Sequence, residues 1–264
     1  MRELTIGKND AGQRLDRFLS KALPLLPPAL AQKYIRIKRV KVNGGRAQRD
    51  QRLSAGDVLQ LYINDEFFDK PSEENLFLTL FKPHLTVVYE DEHLLLADKP
   101  QGMVVHADET EKVNTLINHI QAYLYQKREW NPKWENAFTP ALCNRIDRNT
   151  GGIVIAAKDA ETLRVINEKI RDRELDKRYL CITAGRPKKP EGRVECFLLK
   201  DEQKKQVSVY HKPIPGGKTA ITDYKVLESR GELSLLEIGL ETGRTHQIRA
   251  TMADLDCPLL GDGK

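Results

Sequence analysis

The order of strand-like and helix-like patterns in residues 77–264 is the feature that most restricts how this chain can fold. The strand-like runs are LTVVYEDEHLLLADKP, IVIAA, KRYLCITAG, TAITDYKVLE and ELSLLEIGL. Few helical patterns separate them. One lies near residues 113–126, and another begins at Asp159 as N-cap, with Leu163, Ile166 and Ile170 on its apolar face. A regular βαβ winding would alternate strands with helices, so this order favours a mixed α+β domain.

The first 63 residues predict a small unit of their own. Apolar residues at helical spacing predict a first helix: Leu15, Phe18, Leu19, Ala22 and Leu23. After the turn PLLPP, residues 29–37 predict a second helix, and KRVKVNGG predicts a strand with Val40 and Val42 on one face. DVLQLYI predicts a further strand. The acidic, turn-rich segment 64–76 contains a proline, and we interpret it as a linker.

The net charge of +5 is unevenly distributed along the chain. Residues 1–63 contain 13 Lys and Arg against 5 Asp and Glu, whereas the remaining residues contain 30 against 33. Many of the N-terminal cations surround the second predicted helix and its turn, including Lys33, Arg36, Lys38 and Arg39. A charge run is usually a solvated face, but a one-sided excess on a helix-turn element favours contact with phosphates.

The composition excludes several functional classes. With 40% hydrophobic and 31% charged residues it is typical of a soluble globular protein, and no apolar run approaches the roughly 20 residues needed to span a bilayer. The four cysteines are scattered, which predicts reduced thiols rather than a disulfide framework or a zinc site. The histidines lack metal-ligand spacing, and no G-x-S-x-G motif is present. We therefore expect a cytoplasmic protein with no cofactor, no metal and no membrane partner.

The stretch NRIDRNTGG places Asp147 between Arg145 and Arg148, immediately before the strand-like run IVIAA. An aspartate between arginines in a polar loop is usually half of a solvated ion pair. Carboxylates with perturbed pKa values also cluster in catalytic sites, but they are rarer than structural ones. The residues alone leave both interpretations open.

A second group of polar residues lies in ETGRTHQIRATMADL, directly after the strand-like run ELSLLEIGL. Thr245 is predicted as the N-cap of a helix whose Ile248, Met252 and Leu255 face a core. Arg249 then lies in the first turns of this helix, where the macrodipole disfavours a cation. It is therefore either an exposed side chain or a cation held by a buried acid.

Four segments together resemble the RluA-type pseudouridine synthases. NRIDRNTGGIVIAAK resembles the family motif H-R-L-D-x-x-T-S-G, and ADKPQGMVVHADE resembles its K-P-x-G-x-x-V-H segment. KRYLCITAG is similar to its Lys-x-Tyr-containing strand, and GRTHQIRATMADLDCPLLGD to its G-R-T-H-Q-I-R…P-x-x-G-D motif. The chain departs from the common residues at Asn144, Gly151 and Thr251. Residues 1–63 resemble an S4 RNA-binding domain.

This resemblance implies the architecture of the whole chain. We expect a small S4 domain of the αL type at residues 1–63 and a linker at 64–76. Residues 77–264 would form the catalytic domain, a mixed and mainly antiparallel β-sheet with flanking helices. The last motif reaches Lys264, where relatives in this family continue, so we expect the catalytic domain to extend beyond this sequence.

The resemblance also implies an activity, the isomerisation of uridine to pseudouridine in RNA after the base is flipped out of its stack. Asp147 would be the catalytic carboxylate, acting either by attack on C1′ or by removal of the C2′ proton. Arg249 would be its ion-pair partner, and Tyr179 would stack on the uracil near C5. The residues implied to bind RNA in the catalytic domain are Arg145, which would fill the vacated space, His246 and Gln247.

Two alternatives to the leading interpretation stay open. The S4 domain suits structured RNA, so large-subunit ribosomal RNA is favoured as substrate, with tRNA second. A non-catalytic RNA- or ribosome-binding protein with the same fold is the other alternative. Retention of Asp147, Tyr179 and Arg249 together argues against it, because binding alone would not need that set. We expect RNA to be the partner of a monomeric protein.

Overall fold

The structure of the protein is a computed structural model that describes residues 1–69, 72–201 and 206–262, with only the backbone described at residues 72–75. Contacts between Cα atoms divide the chain into two compact units, Met1–Asn167 and Glu168–Lys264. Among the described residues, every helix is too short or too polar to cross a membrane.

The first unit begins with two helices and a four-stranded antiparallel sheet. The helices are α1 (Leu15–Ala22) and α2 (Pro28–Arg36), and the strands are β1 (Arg2–Thr5), β2 (Val40–Val42), β3 (Gly45–Arg46) and β4 (Val58–Leu61). The strand order is β1-β4-β2-β3. The apolar stripe of α1 is buried, as predicted: Leu15, Phe18, Leu19 and Ala22. Local sequence patterns therefore predicted both helices and the strands β2 and β4.

The hairpin between β2 and β3 shows why this part of the chain turns where it does. Asn43 and Gly44 connect the strands with φ values of 51° and 75°. Consecutive positive φ values define a type I′ turn, which Asn-Gly adopts readily because it tolerates the left-handed region. Val40 and Val42 are both buried on the predicted face.

A second four-stranded antiparallel sheet in the first unit carries the predicted catalytic carboxylate on one of its loops. Its strands are β5 (Thr86–Glu90), β6 (Leu94–Lys99), β7 (Ala141–Leu142) and β8 (Gly152–Ala157), in the order β5-β6-β8-β7. Two further helices follow β6 and β8, namely α3 (Leu116–Gln126) and α4 (Ala160–Arg171). The N-cap predicted at Asp159 is confirmed, since its Oδ1 accepts a hydrogen bond of 2.8 Å from the Thr162 backbone N–H.

Two 3-10 helices begin in the segment interpreted as a linker, Asp65–Phe68 and Ser72–Thr79, and the second extends past residue 76. Phe67 and Phe68 pack against the apolar core of the N-terminal sheet and helices. Residues 70 and 71 lie outside the described residues. The domain boundaries at residues 63 and 77 remain predictions.

The second unit is built around a five-stranded antiparallel sheet and one helix. The strands are β9 (Arg178–Ala184), β10 (Glu191–Asp201), β11 (Gln206–Tyr210), β12 (Lys218–Arg230) and β13 (Leu233–Leu240), in the order β11-β10-β12-β13-β9. Helix α5 (Gln247–Asp254) contributes Met252 to a core that also contains Leu236 and Ile238. The long strands pair as hairpins, which confirms the expected mixed and mainly antiparallel α+β fold.

Helix α5 begins one residue later than predicted. The N-cap is His246 rather than Thr245, and its φ of 55° lies in the left-handed region. No side chain accepts a hydrogen bond as a cap at this position. The prediction of Thr245 followed from its hydroxyl, but the turn that leads into α5 is fixed by Gln247 instead. The four cysteines are free, with Cys196 and Cys257 buried and Cys143 and Cys181 partly buried.

Candidate active site

The predicted catalytic carboxylate, Asp147, lies in the loop that joins β7 to β8. Ile146 is buried, Asp147 is partly buried, and Arg145 and Arg148 are exposed. The Thr150 backbone N–H donates a hydrogen bond of 3.1 Å to the Asp147 carbonyl, which closes a turn. Ile146 therefore anchors the loop, while the Arg145 and Arg148 side chains near it are exposed.

Asn144 attaches the start of this loop to β8. Its Oδ1 accepts a hydrogen bond of 2.8 Å from the Ile155 N–H, and its Nδ2 donates one of 3.3 Å to the Ile153 carbonyl. These bonds replace ladder bonds that the short strand β7 cannot make. At this position, where related proteins commonly have His, the asparagine thus has a structural role.

Lys99, at the end of β6, holds the other side of the loop. Its side chain is fully buried, and its Nζ donates to the carbonyls of Pro100 (2.9 Å), Met103 (2.7 Å) and Arg148 (3.0 Å). Burial lowers the pKa of Lys99, and the negative charge of Asp147 opposes this decrease. Lys99 therefore both fixes the backbone next to Asp147 and supplies a cation to it.

Sequence reasoning did not single out Lys99. The available signal was a lysine at the end of an apolar strand, followed by proline, in the quoted segment ADKPQGMVVHADE. A lysine is almost never fully buried without partners. Its role became visible only with the three carbonyls that surround it.

The Arg148 side chain connects the loop to residues 108–111. Its Nη2 donates to Asp108 Oδ2 (3.0 Å) and to Thr110 Oγ1 (2.6 Å). Asp108 Oδ1 accepts further hydrogen bonds from the backbone N–H groups of Thr110 (2.8 Å) and Glu111 (2.9 Å). Hydrogen bonds from the Thr110 side chain and backbone and from Arg148 hold the pKa of Asp108 well below its usual range. Arg148, unassigned from sequence, is therefore committed to a local network.

Arg145, predicted to fill the space left by a flipped base, has His106 near it. Desolvation and the Arg145 guanidinium both lower the pKa of His106. The segment ADKPQGMVVHADE contains both His106 and Lys99. It therefore contributes two groups to the surroundings of the Asp147 loop.

In the second unit, Tyr179 lies on β9 opposite Ile238 of β13. It is partly buried and packs against the core that includes Leu236 and Met252. One side of the ring thus has the environment of an ordinary core aromatic. The remaining exposure is compatible with the predicted contact to a base.

Arg249, in the first turn of α5, forms a bidentate ion pair with Asp262. Its Nε and Nη2 donate to the two carboxylate oxygens at 2.7 and 2.6 Å. Both side chains are largely buried, with 23% and 18% exposure. The unusual cation near the helix N-terminus is therefore held by an acid, and that acid is one that sequence reasoning did not name.

Gln247 organises the turn that precedes α5. Its Oε1 accepts from Thr242 Oγ1 (2.8 Å) and the Arg244 N–H (3.0 Å), and its Nε2 donates to the Ile221 carbonyl (3.0 Å) and Thr222 Oγ1 (2.9 Å). The side chain is 2% exposed. The structure therefore gives Gln247 an internal role in positioning Arg244, while His246 next to it stays partly exposed.

The four cations predicted to contact phosphates, Lys33, Arg36, Lys38 and Arg39, are exposed at the C-terminal end of α2. Lys38, two residues beyond the end of α2, has a φ of 64°. Within residues 1–69, 72–201 and 206–262, none of the four has an acidic partner. Other cations of this region are neutralised, since Arg14 and Arg49 both pair with Asp16. The charge at the end of α2 is thus available to a ligand.

No group of three or more metal-ligating side chains occurs in the described part of the chain. A carboxylate set in a braced loop and an uncompensated cationic surface on a sheet-and-helix element are features that an RNA-modifying enzyme requires. The S4 domain model matches residues 13–59, and the model of the RNA pseudouridylate synthase family matches residues 93–254. The chain belongs to the RNA pseudouridylate synthase family.

Curated relatives match nearly the whole chain. An uncharacterized RNA pseudouridine synthase of Mycoplasma genitalium is 31% identical over 98% of this chain and 80% of its own length. The ribosomal large subunit pseudouridine synthase D of Borreliella burgdorferi is 30% identical over 99% of this chain and 77% of its own length. The ribosomal large subunit pseudouridine synthase C of Rickettsia prowazekii is 32% identical over 95% of this chain and 81% of its own length.

Among solved structures, human RNA pseudouridylate synthase domain containing 4 is similar, with a TM-score of 0.55 and 25% identity. The match covers 72% of this chain and 71% of that one. These findings confirm the resemblance found in the sequence. The protein is an RNA pseudouridine synthase with an N-terminal S4 domain.

Proposed function

We propose that this enzyme converts uridine to pseudouridine in large-subunit ribosomal RNA and that Asp147 carries the chemistry. The observation that supports Asp147 most directly is the bracing of its loop by Lys99, a buried cation whose Nζ donates to three carbonyls. A buried cation near a carboxylate favours the ionised form that the reaction needs. The Borreliella and Rickettsia relatives are ribosomal large subunit pseudouridine synthases by name, which supports the choice of RNA.

The reaction breaks the N1–C1′ bond of uridine and forms a C5–C1′ bond, with no change in oxidation state. The uracil gains a proton at N1 and loses one from C5. Asp147 acts either by attacking C1′ or by removing the C2′ proton, and both routes require it to be ionised. The Tyr179 ring would stack on the uracil and place its hydroxyl near C5. Arg249 would contribute positive charge to the same reaction.

RNA recognition would be divided among three regions of the chain. Lys33, Arg36, Lys38 and Arg39 would contact phosphates of structured RNA. Arg145 would occupy the space of the flipped uridine, a role supported by its exposure and by the neighbouring His106. His246 remains a proposed RNA contact because it is partly exposed. The predicted contact of Gln247 remains a prediction.

The proposed role of Asp147 is tested by Asp147→Asn, which keeps the shape of the side chain and removes its charge. Pseudouridine formation should be abolished, while RNA affinity and the melting temperature should stay close to those of the wild type. Asp172→Asn is a suitable comparison, because it neutralises a carboxylate whose ion pair, with Arg171, lies outside the Asp147 loop. Full turnover by Asp147→Asn would assign the chemistry to another residue.

The RNA substrate is tested by mapping pseudouridines in the RNA of a strain that lacks this protein. Loss of a pseudouridine from large-subunit ribosomal RNA, restored by the wild type but not by Asp147→Asn, is the expected result. Loss from tRNA would favour the alternative substrate, and no loss in any RNA would favour a non-catalytic role. Action on ribosomal RNA would also agree with the expected cytoplasmic location. Gel filtration of the free protein would test the expected monomer.

A further inference from the structure

Lys177 of the second unit is a partly buried cation without a neutralising partner. It directly precedes β9, and its carbonyl accepts a hydrogen bond of 3.0 Å from the Leu240 N–H. Its Nζ lies 3.8 Å from the position that a Cβ would take at Gly243, in the turn before α5. Among the described residues, no side chain or carbonyl forms a hydrogen bond or an ion pair with this ammonium.

The neighbouring charges do not compensate Lys177. Burial lowers its pKa, and repulsion by Arg173 and Arg244 lowers it further. Arg173 is neutralised by Glu241, at 3.1 Å. Arg244 uses its Nε on the Thr219 carbonyl (2.9 Å), which leaves its two terminal amino groups without a partner in the described part of the chain. Lys177 and Arg244 thus form a pair of uncompensated cations.

The acids that line the cavity around Lys177 are already paired with arginines. Lys177 lines an open cavity of about 330 Å³ together with Arg173, Arg178, Lys225 and several acids. Within that cavity Arg178 pairs with Glu237 at 3.1 Å, and Glu241 is shared by Arg173 and Arg193. The acids that line the cavity therefore form ion pairs with arginines. The Lys177 ammonium can bind an anion from outside the protein.

Lys177 lies two residues before Tyr179, which belongs to the proposed active site. Residues two apart on an extended strand point to the same side and are separated by about 6.6 Å. The burial pattern agrees, because Lys177 and Tyr179 are partly buried whereas Arg178 between them is exposed. Arg244 enters from the turn that Gln247 fixes through the Arg244 N–H at 3.0 Å. An anion bound here would lie about one nucleotide from a base stacked on Tyr179.

We propose that Lys177 and Arg244 bind a backbone phosphate of the RNA substrate beside the target uridine. This inference rests on the proposed RNA substrate and on the proposed stacking by Tyr179. A phosphate would accept hydrogen bonds from the Lys177 ammonium and the Arg244 guanidinium and relieve their mutual repulsion. The contact would position the nucleotide without taking part in bond making or breaking.

The test measures binding of a short oligouridine and of the substrate RNA over a range of salt concentrations. Lys177→Gln and Arg244→Gln should each weaken binding roughly 3- to 10-fold and reduce the salt slope by about 0.7. The rate at saturating RNA should change little. Lys177→Arg should retain most of the affinity. Lys225→Gln is the matched control, because Lys225 lines the same cavity but is exposed.

A structural role for Lys177 would give a different result. Removing an uncompensated, partly buried cation should leave the melting temperature unchanged or raise it, so a large decrease in Lys177→Gln would contradict the proposal. An unchanged affinity and salt slope in both glutamine variants would also overturn it. Binding is measured independently of turnover. Absence of pseudouridine formation by the wild type would therefore count against the proposed function and leave the salt-slope result interpretable.

Discussion

Arg249 and Asp262 face each other through two parallel hydrogen bonds of 2.7 and 2.6 Å, and they join the first turn of α5 to the segment that follows the helix. A planar guanidinium matches a carboxylate at two points, which a lysine cannot reproduce. The pair explains why a cation is tolerated near the N-terminus of α5. It also means that any role of Arg249 toward the catalytic carboxylate must be separated experimentally from its role toward Asp262.

Arg249→Met should lower the free energy of unfolding by about 1–3 kcal/mol, because the largely buried Asp262 carboxylate loses its partner. Activity should fall steeply, and Arg249→Lys should restore only part of it. If Arg249 also supports ionisation of Asp147, the remaining activity of Arg249→Met should require higher pH. Asp262→Asn removes the pair but keeps the cation. Superimposable pH–rate profiles for Arg249→Met and Asp262→Asn would show that Arg249 acts through Asp262 alone.

Asp108→Asn should disturb the position of the Asp147 loop, since Arg148 loses its ionic partner at 3.0 Å. The single-turnover rate at saturating RNA should fall, by up to about 100-fold if the carboxylate is displaced by about 1 Å. Asp172→Asn offers a comparison, because it breaks another exposed ion pair, with Arg171 at 2.9 Å. Equal rates for the two variants would show that the Arg148–Asp108 ion pair does not position the Asp147 loop.

Glu90 should make the stability of the first unit sensitive to acid. Burial alone would raise the pKa of Glu90, but hydrogen bonds from Lys127, Tyr123 and Lys158 lower it to about 2, from 4.5. A carboxyl with a lowered pKa stabilises the fold above its unfolded pKa, and this contribution is lost as the pH falls toward the folded value.

Glu90→Gln should therefore cost on the order of 2–3 kcal/mol at pH 7 and show a weaker loss of stability between about pH 4.5 and 2 than the wild type. Urea unfolding at pH 7, 4.5 and 3 measures both effects. Glu232→Gln serves as control, because Glu232 is exposed at the turn between β12 and β13. If the free energy of unfolding depends on pH in the same way in the wild type and in Glu90→Gln, Glu90 is not the source of the acid sensitivity.

The cations at the end of α2 should govern the salt dependence of RNA binding. Replacing Lys33, Arg36, Lys38 and Arg39 by glutamine should weaken binding and reduce the salt slope by about 3. Turnover of bound RNA should survive. A double variant of Arg171 and Arg230, both exposed and both paired with acids, should change the slope much less. Filter binding over a salt series decides between phosphate contact and a solvated face.

Local signals in the sequence were sufficient for much of the fold. The apolar stripe of α1, the N-cap at Asp159 and the buried face of β2 are set by residues within a few positions of one another, so their pattern predicts them. The N-cap at Thr245 was wrong because Gln247, through bonds to Ile221 and Thr222 on β12, fixes the turn differently. Contacts between distant residues have no local pattern.

The same distinction applies to the candidate site. Asp147 was found by resemblance of its loop to a family motif, but the three carbonyls around Lys99 and the pairing of Arg148 with Asp108, 40 residues away, depend on the folded chain. Arg249 was predicted to need an acid from its place in a helix. The identity of Asp262 as one such acid required the structure, because the intervening turn brings it back to α5.

The burial of the Lys99 amine has a consequence for chemical reactivity. An ammonium enclosed by the carbonyls of Pro100, Met103 and Arg148 is closed to acylating reagents as long as the Asp147 loop keeps its folded position. Most other lysines of the chain are exposed and would be modified at once. The rate at which Lys99 becomes labelled therefore reports how often this loop opens in the native protein.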